Sequence, residues 1–392
     1  MSTSDSVAPT SIFLIAGEPS GDRIGARLMV ALRRALGEQV QFSGIGGEAM
    51  AEQGLKSQFP MSELSIMGFV EVVPRIPHLL GRIAQTVEAV QRQKPDALIT
   101  IDTPAFSFRV TARLRGAGIP LIHYVAPQVW AYRPERAAKI AQILDHMMVL
   151  LPFEAQYFSN VGLPCSFVGH PVVEDVARVG DGEAFRKSHG IDSKAPLICA
   201  LPGSRSTEVS RLLPVFGATM GRLAERFSGL RVVVPTVSSL VESVSAGVAN
   251  WPVPPLVLTR RDAKYDAFAA ANAALAASGT VALELALNRV PMVITYKTNM
   301  LTAIAARRML RVPHVSLVNL ILNRRVVPEL LQQDCQPRAL VECLTELIAD
   351  RKVRGRQLKA TKEIAARLGM GGARPSDCAA DVVLSLIDAR AA

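Results

Sequence analysis

Short, nearly uninterrupted apolar runs recur along this chain, each followed by a segment whose apolar residues return every three or four positions. SIFLIAG (11–17) leads into SGDRIGARLMVALRRAL (20–36), and DALITIDTP (96–104) leads into 106–116. Runs of that length predict strands buried on both faces, and the three-to-four spacing predicts the helices that cover them. VQFSGIGG (40–47), IPLIHYVAP (119–127), DHMMVLLP (145–152) and CSFVGHP (165–171) read as further strands or strand-turn units, with a helix over 79–94. The second half repeats the plan: PLICALPG (196–203), a helix to about 227, LRVVVPTV (230–237), PPLVLT (254–259), ANAALAAS (271–278), a helix from 280, and VPMVITY (290–296).

Strand and helix in strict alternation predict a parallel sheet in each half, hence an α/β chain of two doubly wound, Rossmann-like domains. The join falls near GHPVVEDV (169–176), giving domains over 1–172 and 173–349. Residues 350–392 read as a basic helical extension that packs on the N-terminal domain or on a second subunit. Ligands of open parallel sheets bind beyond the carboxyl ends of the strands. Two such domains are therefore expected to face each other across a cleft.

Composition narrows the partners. Of 392 residues 49% are hydrophobic and 20% charged, enough for two cores. The net charge of +10 is uneven: residues 1–175 carry 15 Lys and Arg against 16 Asp and Glu, whereas 176–392 carry 29 against 18. A basic second half suits an anionic ligand or an anionic membrane surface. Nucleic acid is not expected, because no interleaved aromatic-basic motif accompanies the charge. Five widely spaced cysteines make neither a disulfide framework nor a zinc ligand set. The opening MSTSDSVAPT lacks a basic n-region and an apolar h-region, and the apolar runs are too short to span a bilayer. A cytoplasmic, non-transmembrane chain is expected.

Two segments carry the chemistry of an anion site. LPGSRSTEV (201–209) and AASGTVALELALNRVPMV (276–293) each read as a small or apolar segment, a tight turn and the first turn of a helix. That arrangement aims backbone N–H groups and a helix dipole at phosphate. Thr280 and Glu284 share one helix face, so the carboxylate lies roughly 5–6 Å from the helix mouth. Gly203, Ser204 and Arg205 with Ser278, Gly279 and Thr280 would cradle a pyrophosphate, and Glu284 would take the ribose. Arg205 would grip phosphate oxygens bidentately and neutralise a departing nucleotide. The plainer alternative is a pair of ordinary strand-to-helix turns with a solvated Glu284.

In the first half, Asp102 follows the strand ALITI, where a carboxylate can accept a proton from an attacking hydroxyl; capping the next helix is its alternative. GEPSGD (17–22) lacks the Lys-Ser/Thr of a phosphate loop. Glu18, Ser20 and Gly21 are placed on the acceptor side, with Ser20 equally suited to capping its helix. His123 and Gln128 are further candidates for the cleft wall, although a strand histidine more often satisfies itself inside the core. No DxD motif stands at a strand end, so neither a metal ion nor another cofactor is expected.

The motifs also resemble a known family. IAGEPSGDRIGARL, IGGEAMAEQGL, SIMGFVEVVPRIPHLL, ITIDTPAFSFRV, HYVAPQVWAYRPERA, FEAQYF, FVGHP, LPGSRSTEV, ASGTVALELAL and SLVNLILNRRVVPELLQQDC resemble, in order, the lipid-A-disaccharide synthases over roughly 12–340. The resemblance implies a GT-B glycosyltransferase fold, with Asp102 at the family's essential aspartate and Asn319 at a functional asparagine that binds UDP; a buried structural asparagine bonded to backbone is the equal alternative for Asn319. It further implies β-1′,6 transfer of 2,3-diacylglucosamine from its UDP derivative to 2,3-diacylglucosamine 1-phosphate. That places the chain peripherally on the cytoplasmic face of the inner membrane, with a homodimer open.

Lipid substrates demand an apolar surface. Ile66, Met67, Phe69, Val70, Val72 and Val73, flanked by Arg75 and Arg82, are expected to meet acyl chains or the membrane, and 300–325 is a second apolar-basic stretch. Buried core is the alternative for both. Other GT-B transferases, the non-hydrolysing UDP-GlcNAc 2-epimerases and a non-catalytic binding module are the competing functions. An epimerase needs no acyl-chain surface.

Overall fold

In this computed structural model, residues 9–64, 76–176, 180–299, 303 and 308–391 are described. The chain forms two compact units. One runs to Pro171 and takes in the chain again from Gly372; the other is Val172–Gly371.

The first unit is built on six parallel strands: β1 (Thr10–Ala16), β2 (Val40–Ile45), β3 (Ala97–Ile101), β4 (Leu121–Tyr124), β5 (His146–Val149) and β6 (Cys165–Phe167). Their order is β2-β1-β3-β4-β5-β6. Successive side chains of a strand point to opposite faces, and the core divides accordingly. Phe13, Ile15, Leu98, Leu121 and Met147 belong to one buried cluster, and Ile12, Leu14, Ile99, Ile122 and Met148 to another. The second cluster also takes in Ala379, Ala380 and Val383 of the terminal helix Pro375–Ala391.

The helix Pro19–Leu36 begins with proline in its first turn, where the missing N–H is harmless. That shifts the N-cap to Glu18 and leaves Ser20 inside the first turn rather than at the cap.

The second unit repeats the architecture with β7 (Leu197–Leu201), β8 (Arg231–Pro235), β9 (Leu256–Leu258), β10 (Ala273–Ala277), β11 (Met292–Tyr296) and β12 (Glu329–Leu331). Its parallel order is β12-β11-β10-β7-β8-β9. Counted within the unit, this is the dinucleotide-fold order 3-2-1-4-5-6.

The expected extension from 350 is not one piece. The helix Arg351–Arg367 belongs to the second unit, because buried Gln357 brackets β11: its Oε1 accepts from Met292 N at 2.9 Å and its Nε2 donates to Met292 O at 3.1 Å. Only the chain from Gly372 packs with the first unit.

Ile66, Met67, Phe69, Val70, Val72 and Val73 lie outside the described residues, as does much of 300–307. Arg82 is described, and its guanidinium is engaged within the chain. It forms a two-point pair with Glu63 at 2.7 and 2.9 Å and stacks over the Phe59 ring. Among the described residues no helix is long and apolar enough to cross a membrane.

Candidate active site

Each sheet has one place where the chain reverses the direction in which it adds strands. In the first unit this switch point lies between the neighbours β1 and β3, in the second between β7 and β10. Loops leaving such a pair diverge and open a crevice at the carboxyl ends of the strands. All four chemical motifs sit there. Gly17–Gly21 follows β1 and Asp102 follows β3; Gly203–Arg205 follows β7 and Ser278–Thr280 follows β10.

At the first switch point the backbone is strained. Asp102 and Thr103 are both left-handed, with φ of 54° and 47°, and Val125 at the end of β4 has φ 78°. Such residues cost about 1–3 kcal/mol each and persist only where their surroundings hold them. Here Asp102 N donates to Tyr124 O at 2.9 Å, Ser107 Oγ donates to Asp102 O at 2.9 Å, and Val125 N donates to Met148 O at 3.1 Å. Gly17 packs so closely on Thr103 that a Cβ would overlap its side chain, and a Cβ on Gly21 would lie 3.2 Å from Ile101 O. The GEPSGD turn is thereby pressed against the end of β3.

The Asp102 carboxylate accepts from Thr103 N at 2.8 Å. Burial raises its pKa above the ordinary aspartate value, and the Thr103 N–H offsets part of that rise. The result is a half-buried carboxylate that accepts protons more readily than a solvated one.

Of the other acceptor-side candidates, Glu18 is half-buried, Ser20 and Gln128 are exposed, and Gly21 is buried beneath them. His123 does not belong with them. It is fully buried, its Nδ1 lies 2.7 Å from Thr100 Oγ1, and its ring packs on Phe108 at 4.7 Å. Burial lowers its pKa to about 3, so it is a neutral core side chain.

Two buried acids escaped the sequence reading. Asp22 accepts from Gly47 N, Met50 N and Ala49 N at 2.7, 3.1 and 2.9 Å, capping the helix Glu48–Glu52. Glu154 receives Trp130 Nε1 at 3.0 Å on one oxygen, and Leu150 N and Leu151 N at 3.2 and 3.0 Å on the other. It thus ties the end of β5 to the Val129–Tyr132 helix after β4. An acid set in an apolar run, as in LLPFEAQYF, was the available signal.

At the second switch point Gly203 takes φ 114°, a conformation open to glycine. A Cβ there would also meet Glu208 Oε2 at 2.5 Å. Arg205 occupies the N-cap of the helix Ser206–Arg226, and its Nη1 donates to Glu208 Oε1 at 3.0 Å. Glu208 Oε2 accepts from Ser204 N at 3.3 Å. Tyr296 completes the group: burial first, then the Glu208 charge, pushes its phenol above its ordinary pKa.

Opposite, Ser278 N donates to Thr295 O at 2.9 Å and Ser278 Oγ to Val315 O at 3.3 Å, while Gly279 and Thr280 are exposed. Glu284 pairs with Lys264 Nζ at 2.8 Å. Nothing local in the sequence links those two residues.

Of the two readings of Asn319, a nucleotide contact or a buried structural amide, its hydrogen bonds match the second. It is fully buried; its Nδ2 donates to Val327 O at 2.9 Å and Glu329 Oε1 at 2.6 Å, and its Oδ1 accepts from Val326 N at 2.8 Å and Val327 N at 3.0 Å. Two donors and two acceptor positions exhaust an amide side chain. Glu329 also accepts from Val315 N and Ser316 N at 3.0 and 3.1 Å, so this network braces the loop that receives Ser278 Oγ. Among the described residues no group of three or more His, Cys, Asp or Glu side chains is arranged to hold a metal ion.

Twin parallel sheets, each with its glycine turns and charged groups at a switch point, define a GT-B-type α/β protein. Solved structures agree on the fold. The glycosyltransferase of kitacinnamycin superposes with a TM-score of 0.65 at 14% identity, over 97% of this chain and 100% of that one. The UDP-GlcNAc 2-epimerase from Neisseria meningitidis bound to UDP-GlcNAc gives 0.62 at 11%, over 96% and 98%. Sequence goes further. The lipid-A-disaccharide synthetase family profile matches residues 12–383. The lipid-A-disaccharide synthase of Rhodospirillum centenum is 55% identical over 384 residues, 97% of this chain and 96% of that relative. The chain belongs to the lipid-A-disaccharide synthetase family.

Proposed function

We propose that this protein is the glycosyltransferase of lipid A biosynthesis that joins two acylated glucosamines. It moves 2,3-diacylglucosamine from UDP-2,3-diacylglucosamine to O6 of 2,3-diacylglucosamine 1-phosphate. The observation that carries the reading is the placement of Arg205, Ser278–Thr280 and Glu284 about one switch point and of Asp102 at the other.

The donor's UDP lies on the second unit. Its pyrophosphate meets Gly203, Ser204 and Arg205 on one side and Ser278, Gly279 and Thr280 on the other, with Glu284 accepting from the ribose hydroxyls. Asp102 takes the proton of the acceptor hydroxyl as that oxygen attacks C1′ of the donor sugar. The bond from C1′ to the UDP oxygen breaks in the same step, so an α-linked donor gives a β-linked product. Arg205 takes the negative charge that arrives on the leaving diphosphate, which favours the transition state over the ground state. Glu18, Ser20 and Gln128 contact the acceptor. The apolar segment 66–73 meets the acyl chains at the membrane surface, where the chain binds peripherally on the cytoplasmic side.

The test is direct. Purified protein in detergent micelles with EDTA is given UDP-2,3-diacylglucosamine, with and without 2,3-diacylglucosamine 1-phosphate. Acceptor-dependent release of UDP together with disaccharide is the expected result. No disaccharide even after Mg²⁺ is restored, with epimerisation of UDP-GlcNAc instead, would overturn it.

A further inference from the structure

Glu284 sits in an apolar helix, VALELAL, with Leu283 and Leu285 buried on either side. A carboxylate in such a place is costly to bury unless a cation holds it. The cation comes from another helix. Lys264, on Arg261–Ala270, sets Nζ 2.8 Å from Glu284 Oε2, with side-chain exposures of only 20% and 14%. The same Nζ lies 4.9 Å from the Tyr265 ring centroid and 5.8 Å from that of Phe268, both buried rings. Lysine is a flexible stem that loses much freedom when held in one pose. Here one carboxylate and two aromatic rings converge on it.

The backbone of Glu284 is fixed as well. Its carbonyl accepts from Asn288 N at 3.0 Å and from Asn288 Nδ2 at 2.8 Å. Both ends of the residue are therefore set before any ligand arrives, which is the arrangement a site uses to lower the ordering cost of binding.

We infer that Lys264 is a positioning residue for the ribose of a uridine nucleotide, holding the Glu284 carboxylate oriented to accept the ribose hydroxyls. The inference rests on the reading of Glu284 as the ribose contact. Lys264 engages Oε2, and Oε1 serves the hydroxyls. A pair that merely fastened two helices together would support folding equally for every ligand, so the distinguishing readout is discrimination between riboses.

The experiment measures, by calorimetry on the full chain, the affinities of UDP and 2′,3′-dideoxy-UDP. The wild-type chain binds UDP more tightly. Lys264→Met is expected to weaken UDP about tenfold and leave dideoxy-UDP within about twofold, collapsing the ratio; Lys264→Arg restores most of it. Should Lys264→Met not fold, Lys264→Gln removes the same charge and is read the same way. An unchanged ratio in the neutral variant, even with both affinities reduced together, overturns the inference. Glu284→Ala separates the two levels. If it collapses the ratio while the Lys264 variants do not, only the role of Lys264 falls. If it leaves the ratio intact, or if the wild-type chain does not discriminate, the ribose reading falls and takes Lys264 with it.

Discussion

Arg205 donates to Glu208 across 3.0 Å, yet the two side chains live in different media: the guanidinium is 64% exposed and the carboxylate 9%. Glu208 is the fixed partner. Its second oxygen holds Ser204 N, and Gly203 leaves it room by having no side chain.

Two effects oppose each other when Glu208 is removed. The negative charge repels a bound diphosphate, and its loss favours binding. The turn and the guanidinium lose their anchor, and that loss disfavours binding. A hydrogen bond to a charged group, as from Ser204 N, contributes about 1.5–3 kcal/mol, whereas repulsion between Glu208 and a diphosphate at the exposed turn is screened by solvent. Positioning therefore wins. Glu208→Ala is expected to weaken UDP binding about tenfold, as read by calorimetry; tighter binding would mean that Glu208 only competes for Arg205.

Asp102→Asn keeps the shape and removes the proton acceptor. Turnover should fall by about 10²–10⁴-fold, with UDP affinity within a few-fold because the residues proposed to bind the nucleotide stand on the other unit. The pH profile carries a sign. A base works ionised, so the rate falls as pH drops through its pKa, and burial has raised that pKa. The acidic limb of kcat/KM should lie above the ordinary aspartate value of 3.8 and disappear in the variant's residual rate. A profile flat down to that value would leave Asp102 without this role.

Much of this was legible in the sequence, and the limits are physical. Strands such as ALITI and AALAA declare themselves because a parallel sheet buries both faces, which demands a continuous apolar run. The glycine turns LPGS and ASGT declare themselves as strand-to-helix turns, and both stand at the second switch point. What stays hidden is the pairing of residues distant in the chain. Lys264 with Glu284 and Asn319 with Glu329 are set by packing between elements, and no local period records it. The same blindness left His123 open, since a polar residue in a buried strand looks identical whether it faces a ligand or Phe108. It also took the tail from 350 as one piece, because Gln357 gives no sign in sequence of the backbone it brackets.

Asn319 separates bracing from ligand contact. Asn319→Ala takes the amide away from Val326 N, Val327 N and Val327 O in the interior, while Glu329 Oε1 keeps Ser316 N. Each buried unsatisfied group costs about 1–3 kcal/mol, partly relieved by entering water. A loss of about 2–4 kcal/mol in urea unfolding is expected. Donor KM should rise, since Val315 O receives Ser278 Oγ, while kcat changes less. A fully stable variant with abolished UDP binding would restore Asn319 to the ligand.

Glu154 makes the last prediction, and its sign is opposite to that of a salt-bridged acid. Burial lifts its pKa from 4.5 to about 7 in the folded chain, against the pull of the Leu151, Trp130 and Leu150 hydrogen bonds. Below the unfolded pKa the group is protonated in both states and contributes no pH dependence. As pH rises through the interval between the two values, the unfolded chain gives up the proton first. The native state then binds more protons than the unfolded one, so stability falls with pH. Above the folded pKa both states are ionised and the loss is complete. A tenfold difference in proton affinity between the two states is about 1.4 kcal/mol, so the total is on the order of 3 kcal/mol. Glu154→Gln cannot titrate, and all other groups cancel in the comparison as far as they are independent. Urea midpoints measured from about pH 4 to about pH 8 should therefore show wild-type stability declining relative to the glutamine variant, with the steepest change between the two pKa values. A difference that stays constant across that range would mean Glu154 ionises in the folded protein as it does in the unfolded chain, and that its three hydrogen bonds balance its burial.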